Sequence, residues 1–265
     1  MPDMPFIDGD TRLYAIAGDP IRQTQTPQAL NPRLAAGGAN AVVVPLHVPA
    51  GRFADTARAL MAMPNFHGLI VTYPFKAEAL AVVDRVLPAA AHVGAINIMR
   101  RDGDGGWSGD ILDGRGLVAG LAEGGVDLKG RRVLLIGTGG AGTAVAFAFA
   151  EAGAAALTLV DLDTARADRV AAGVAAAYPA CRAARGAPHP AGHDLIVNAT
   201  PMGMDPADPL PAAFARLDPA TVVVDIVPKP PTPFVRQAQS FGCRTFDFRA
   251  MADGQRGEMM RFWGF

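Results

Sequence analysis

The segment Arg132–Ile136, then Gly137, Thr138, Gly139, Gly140, Ala141 and Gly142, then the apolar run 144–150, constrains this chain more than any other stretch. An apolar strand, a glycine loop and a helix in direct succession make the G-x-G-x-x-G arrangement of a dinucleotide-binding βαβ unit. Gly137 permits the tight turn, Gly139 lets the backbone approach a pyrophosphate, and Gly142 lets helix and strand pack closely. The N–H groups and positive dipole end of the helix then face the phosphates, with Thr138, Gly140 and Ala141 completing the loop. A second apolar run, 157–160, ends at Asp161, about 20 residues further on, where an acid commonly accepts from the adenosine ribose hydroxyls. Capping the next helix is its plainer task, and one carboxylate can do both. A carboxylate there opposes a 2′-phosphate, so the sequence favours NAD. Arg166 and Arg169 keep NADP open if either reaches a phosphate, although solvated surface arginines are the simpler reading.

Composition narrows the class. Half of the 265 residues are hydrophobic and only 18% are charged, enough for a substantial core and against disorder. Basic and acidic side chains number 24 and 25, a net charge of −1, which leaves no excess to neutralise nucleic-acid phosphates. Cys181 and Cys243 form no CxxC motif, as expected of a cytoplasmic chain without a disulfide framework. No apolar run approaches the ~20 residues of a membrane span. The first ten residues carry proline and aspartate rather than a signal peptide. His189 and His193 are spaced as on a helix, but Pro188 and Pro190 forbid a regular one, so no metal is expected.

Short apolar runs punctuated by 30 glycines and 22 prolines recur along the whole chain. Runs 14–17, 41–44, 68–72 and 93–99 read as strands, 52–61 and 76–83 as helices, and 101–106 as a hairpin turn. Beyond residue 131 the runs 132–136, 157–161, 195–198 and 222–226 are continuously apolar, as strands covered on both faces are. The expected fold is two-domain α/β: an N-terminal α/β substrate-binding domain over 1–112 with 246–265, and a Rossmann-type doubly wound parallel sheet over 113–245. Segment 251–265 reads as one amphipathic helix, compatible with a return to the first domain.

The first half carries polar residues at strand ends. Thr24 and Thr26 precede a helix start and make a carboxylate clamp, or Thr26 merely caps that helix ahead of Pro27. Lys76 stands just past a buried strand, where a lone lysine is usually solvated. In order along the chain, GDPIRQTQTP resembles GNPIxHSxSP, VTYPFK resembles NVTxPxK, GAIN resembles GAVNT, and GDILDG resembles GxNTDG. GTGGAG, NATPMGM and the Met251…Gln255 pair follow in the same order. These segments span nearly the whole chain and together resemble the shikimate/quinate dehydrogenase family.

The resemblance implies an NAD(P)-dependent dehydrogenase, with the aromatic (chorismate) biosynthetic setting that goes with it. Hydride would pass between the nicotinamide and a secondary alcohol or ketone of a cyclic hydroxy acid: shikimate/3-dehydroshikimate, quinate or a less hydroxylated analogue. It puts Lys76 and Asp113 in the catalytic positions, the lysine as acid and base and the aspartate as its partner. Thr24, Thr26, Thr72, Asn97 and Gln255 fall on substrate-binding positions, and Asn198, Thr200, Pro201, Met202 and Val227 on the cofactor side. DLDTAR and NATPMGM are similar to the NAD-using branch, and a homodimer is left open.

Departures from the family pattern are concentrated around the pocket. Ile70 replaces an asparagine, Ile111 and Leu112 replace N-T, Gln23 replaces a histidine, and both serines are threonines. Pro228 stands where a tyrosine is expected, in a loop one residue shorter, and Phe248 where a glycine is expected. If Ile70 faces a ring hydroxyl, a less hydroxylated substrate follows, because an unpaired buried hydroxyl costs ~1–3 kcal/mol. The alternative from another class is a dinucleotide-binding regulatory or sensor protein with little turnover. The Lys76 and Asp113 pair argues against it.

Overall fold

The computed structural model describes residues 7–205, 207–228 and 231–265, so part of the polar opening segment lies outside the described residues. The chain divides into two compact units, Met1–Leu112 with Arg256–Phe265, and Asp113–Gln255. Residues 246–255, expected with the first domain, fall in the second unit. The division runs through the last helix.

The first unit contains β1 (Arg12–Gly18), α1 (Thr26–Ala36), β2 (Ala41–His47), α2 (Phe53–Met61), β3 (Phe66–Val71), β4 (Arg85–Val86), α3 (Pro88–Val93), β5 (Ile98–Arg101) and β6 (Trp107–Asp110). The strands form one sheet in the order β2-β1-β3-β5-β6-β4, in which β5 runs antiparallel to both neighbours. Pro45 is tolerated because β2 lies at the sheet edge, where a missing N–H need serve no neighbour. Tyr14, Ile16, Ile70 and Ile98 cluster with Leu30 and Leu34 of α1 and with Met259, Phe262 and Trp263 near the C-terminus. Elsewhere in this unit Phe53 stacks on Phe75 at 4.8 Å between ring centroids, and Phe66 on Trp107 at 5.9 Å.

The second unit contains α4 (Asp113–Glu123), β7 (Arg132–Ile136), α5 (Gly140–Glu151), β8 (Ala156–Val160), α6 (Thr164–Ala177), β9 (Arg182–Arg185), β10 (Leu195–Asn198), β11 (Val222–Asp225), α7 (Pro233–Ser240) and β12 (Arg244–Phe246); α8 (Phe248–Trp263) starts in it. Its six strands are all parallel, in the order β12-β11-β10-β7-β8-β9. The strand run of β7 is continuously apolar because both faces are covered. Val133 and Leu135 enter the cluster with Val145 and Phe149 of α5, while Leu134 and Ile136 enter another with Phe234 and Ala238 of α7. Between β7 and β10 the strand order reverses, and in such sheets ligands bind outside the carboxyl ends of the strands at that point.

Two sequence expectations need correction. Run 93–99 is a strand only from Ile98 onward, because α3 ends at Gly94 with φ +72° and the following residues form a loop. Of 76–83, only Glu78–Ala81 is helical, as a single 3-10 turn. Apolar content alone does not separate a loop pinned by hydrogen bonds from a strand.

Trp263 closes the first unit. Its ring lies 4.4 Å from that of Tyr14, and its indole N–H donates to the Met99 carbonyl at 3.1 Å. Trp263→Ala is expected to cost about 3–5 kcal/mol through the cavity it leaves. Trp263→Phe keeps a ring and loses mainly the hydrogen bond, about 1–3 kcal/mol. Denaturant midpoints for the two variants should fall in that order, and equal losses would mean that the ring contributes nothing by packing.

Candidate active site

In the first unit, three loops at one end of the sheet's central strands are fastened by backbone hydrogen bonds. The loop after β1 joins the loop after β3, with Thr72 N–H donating to the Ala17 carbonyl at 3.0 Å and Asp19 N–H to the Tyr73 carbonyl at 3.1 Å. The loop after β3 joins the segment before β5, with Val71 N–H donating to Asn97 O at 2.8 Å and Ile96 N–H to Lys76 O at 2.8 Å. Because β5 runs antiparallel, its start lies at the end of the sheet where β1 and β3 finish. Thr72, half-buried Lys76 and buried Asn97 are thereby held on adjoining loops. The Asn97 side-chain oxygen accepts from Leu112 N–H at 2.9 Å.

Thr24 belongs to the loop after β1, and Thr26 is the first residue of α1. The Thr24 hydroxyl donates to that of Thr26 at 3.3 Å, and both residues are half-buried. α1 starts at Thr26 itself, with Gln25 in the capping position and no side-chain cap bond, so Thr26 is not the helix cap. The two hydroxyls therefore stand together at a helix N-terminus, a suitable setting for a carboxylate.

The second unit holds Asp113 and Gln255. Asp113 is 6% exposed in the first turn of α4, and its Oδ1 accepts from Gln255 Nε2 at 2.6 Å. An acid in that turn is favoured by the helix dipole, and the amide fixes its carboxylate.

At the β7–α5 turn, Gly137 has φ +95°, and a Cβ on it would stand 2.7 Å from the Ala199 carbonyl after β10. A Cβ on Gly142 would stand 2.1 Å from the Gly137 carbonyl, so the helix passes against its own loop. In front of Gly139 and Gly140 a Cβ would meet nothing within 4 Å. Gly139 caps α5 without a side-chain bond. Open space before an uncapped helix N-terminus fits a pyrophosphate, and nicotinamide dinucleotides carry one.

Asp161 follows β8, its side chain 5% exposed. Its Oδ2 accepts from the N–H and hydroxyl of Thr138, each at 2.7 Å, and its Oδ1 from Asp163 N–H at 2.9 Å and Arg166 Nη2 at 2.7 Å. Burial pushes this carboxyl up, but the bonds from Arg166, Thr138 and Asp163 outweigh it and hold it far below the usual carboxylate range. Asp163 takes the capping task, accepting from Arg166 N–H at 2.9 Å. Leu162 is fully exposed. Arg169 lies on α6, where no bond to Asp161 or Asp163 is seen.

Asn198 ends β10 with no exposure. Its Oδ1 accepts from Thr200 N–H at 3.0 Å and from the Thr200 hydroxyl at 2.6 Å, while its Nδ2 donates to Met202 O at 3.2 Å and to Asp225 Oδ1 at 3.0 Å. Asp225 Oδ1 also accepts from Val227 N–H at 3.1 Å, and its Oδ2 from the Thr232 hydroxyl at 2.5 Å. Burial pushes the Asp225 carboxyl up. One buried acid thus joins the loops carrying Thr200, Pro201 and Met202 to the segment carrying Val227. Sequence reasoning passed over Asp225, although an aspartate ending the apolar run VVVD was the available signal.

Ile70 departs from expectation. It is 3% exposed and belongs to the apolar cluster with Tyr14, Ile16 and Leu30. Strand alternation explains this, because Ile70 is paired with Ile16 and shares its inward face. Leu112 belongs to the same cluster, and Ile111 is 3% exposed. These three replacements are core residues, and a less hydroxylated substrate does not follow from them.

Residues 16–99 match the family model described as the shikimate dehydrogenase substrate binding domain. The "Shikimate dehydrogenase (NADP(+))" of Rubrobacter xylanophilus is 36% identical over 98% of this chain and 93% of its own. The shikimate 5-dehydrogenase of Listeria monocytogenes, solved with shikimate and NAD, superposes with a TM-score of 0.87 at 29% identity, over 97% of this chain and 93% of that one. The ligand-free 5-ketofructose reductase of Gluconobacter sp. strain CHM43 gives a TM-score of 0.85 at 30% identity, over 96% and 93%. This chain belongs to the shikimate/quinate dehydrogenase family of NAD(P)-dependent oxidoreductases acting on CH–OH groups.

Proposed function

We propose that the protein oxidises a secondary hydroxyl of a cyclic hydroxy acid of the shikimate or quinate type, reversibly, with NAD preferred over NADP. The observation that carries the substrate reading is the gathering of Thr24, Thr72, Lys76 and Asn97 on loops fastened to one another in the first unit, with Thr26 at the start of the helix that follows the first of them. Two hydroxyls at a helix N-terminus suit the carboxylate, and Thr72 and Asn97 suit the ring hydroxyls. The nicotinamide, when bound, takes or gives the hydride. The family resemblance gives Lys76 the hydroxyl proton to move and Asp113, fixed by Gln255, the role of acceptor for the reacting hydroxyl. Keeping both groups favours turnover over a purely regulatory role. A panel of cyclic hydroxy acids, assayed with each cofactor by the absorbance of the reduced nicotinamide, tests the reading. Turnover of none of them would sink it. The Gluconobacter protein of similar fold is a 5-ketofructose reductase, so ketose reduction belongs in the same panel.

The cofactor preference rests on the end of β8. Asp161 and Asp163 flank Arg166, which is already bonded to Asp161, so a doubly charged 2′-phosphate is disfavoured. Fully exposed Leu162 offers no charge to offset this. The NADP(+) in the names of the curated relatives, that of Rubrobacter xylanophilus among them, favours NADP, and NADP is the second reading, with Arg166 turning to the phosphate.

Three outcomes are expected. Lys76→Ala should lower kcat by roughly 10²–10⁴, the usual share of acid–base catalysis, with the Kd for NAD unchanged. Full turnover in that variant would remove the lysine from the mechanism. Asp161→Ala should weaken NAD and bring the NAD and NADP affinities together, measured by calorimetry, whereas a wild type that binds NADP more tightly would reverse the assignment. Ile70→Asn should lower stability by about 1–3 kcal/mol, because it buries an amide in an apolar cluster. A variant as stable as wild type that gains activity on shikimate would return Ile70 to the pocket wall.

A further inference from the structure

We infer that Thr138 is a positioning residue for dinucleotide recognition: its N–H and hydroxyl together hold one oxygen of the Asp161 carboxylate inward, which turns the other toward the rim of the site. The inference rests on the proposed role of Asp161 toward the adenosine ribose and assigns the residue that sets that role.

Thr138 is the first x of the glycine motif and has no exposed surface. It makes no contact that would mark it as a ligand for the outside; both of its donors end on Asp161 Oδ2, at 2.7 Å each. Its own carbonyl accepts from the Thr143 hydroxyl of α5 at 2.9 Å. A continuous path therefore runs from the first turns of α5, through the Thr138 peptide, to the acid at the end of β8. The remaining oxygen, Oδ1, accepts from the Asp163 N–H at the start of α6 and from Arg166 Nη2. Arg166 is also within 3.3 Å of Oδ2 through Nε. With its side chain 42% exposed, Arg166 is the donor on the solvent side of this carboxylate.

An aspartate at a strand end has two side-chain torsions to fix, and a ligand that must fix them loses affinity in doing so. Two short bonds to a single oxygen from one buried residue remove that freedom before the ligand arrives. Of the pair, the backbone bond follows from the path of the loop and is open to any residue type. Only the hydroxyl bond depends on residue 138 being threonine or serine, so position 138 becomes a determinant of cofactor affinity and selectivity without touching the cofactor's ribose.

The test is the calorimetric Kd for NAD and for NADP with the wild type, Thr138→Val, Thr138→Ser and Thr138→Ala, which needs no substrate. Valine keeps the shape and loses the hydroxyl. It should weaken NAD by roughly ten- to a hundredfold, the scale of a hydrogen bond to a charged group, and narrow the NAD/NADP ratio with little change for NADP. Serine should stay within about twofold of wild type, which a role in filling space would not produce, since serine lacks the methyl that valine keeps. Valine binding like the wild type, or serine failing along with valine, overturns the inference. Alanine serves if the valine variant does not fold, and loss of the native circular dichroism in both would make the bond a fold determinant and overturn it as well. A wild type that prefers NADP overturns the underlying cofactor reading and this inference with it, whereas failure of the Thr138 variants in a wild type that prefers NAD overturns the positioning role alone.

Discussion

The closest constraint in the second unit is the contact between the glycine loop and what surrounds it. With a methyl at 142 only 2.1 Å from the Gly137 carbonyl, and one at 137 only 2.7 Å from that of Ala199, neither position admits a side chain. The consequence spreads outward. α5 starts directly above the reversal in strand order, its N-terminal N–H groups have no side-chain cap, and the space ahead of Gly139 stays open. The same turn fixes the Thr138 peptide, and through it Asp161.

The first unit depends on backbone bonds instead. Its polar side chains come from loops that would have no defined geometry separately, and the bonds from Thr72 to Ala17, Val71 to Asn97 and Ile96 to Lys76 give them one. Below those loops the sheet is filled by aliphatic and aromatic side chains, with Trp263 reaching the Met99 carbonyl. A rigid apolar floor and fastened polar loops are complementary requirements for holding acid–base groups in place.

Much of this was legible in the chain. The strands of the second unit follow from continuous apolar runs, because burial on both faces removes the polar positions that would obscure them. The glycine motif followed from its neighbours, and the family from the order of its segments. What the sequence hid was direction. Ile70 reads as a pocket residue when compared with an asparagine, yet pairing with Ile16 turns it into the core. Run 93–99 reads as a strand because alanine and isoleucine are apolar, whereas Gly94 and the buried Asn97 make it a loop. Asp225 showed only as an acid ending the apolar run VVVD: its importance lies in what it accepts from Asn198, Val227 and Thr232, and none of those bonds leaves a mark in spacing alone.

The Asn198, Asp225 and Thr232 network also bears on how this protein can change over evolutionary time. A replacement at Thr232 that cannot donate would strand Oδ2 of the buried carboxylate, and one at Asn198 would leave Oδ1 with Val227 N–H alone, while a replacement at Asp225 that cannot accept would take an acceptor from three donors. Single steps through either intermediate are penalised, so the three positions are heritable as a set. The loop between Asp225 and Thr232 can then gain or lose residues only while its two ends remain tethered, which places length variation between the anchors rather than at them.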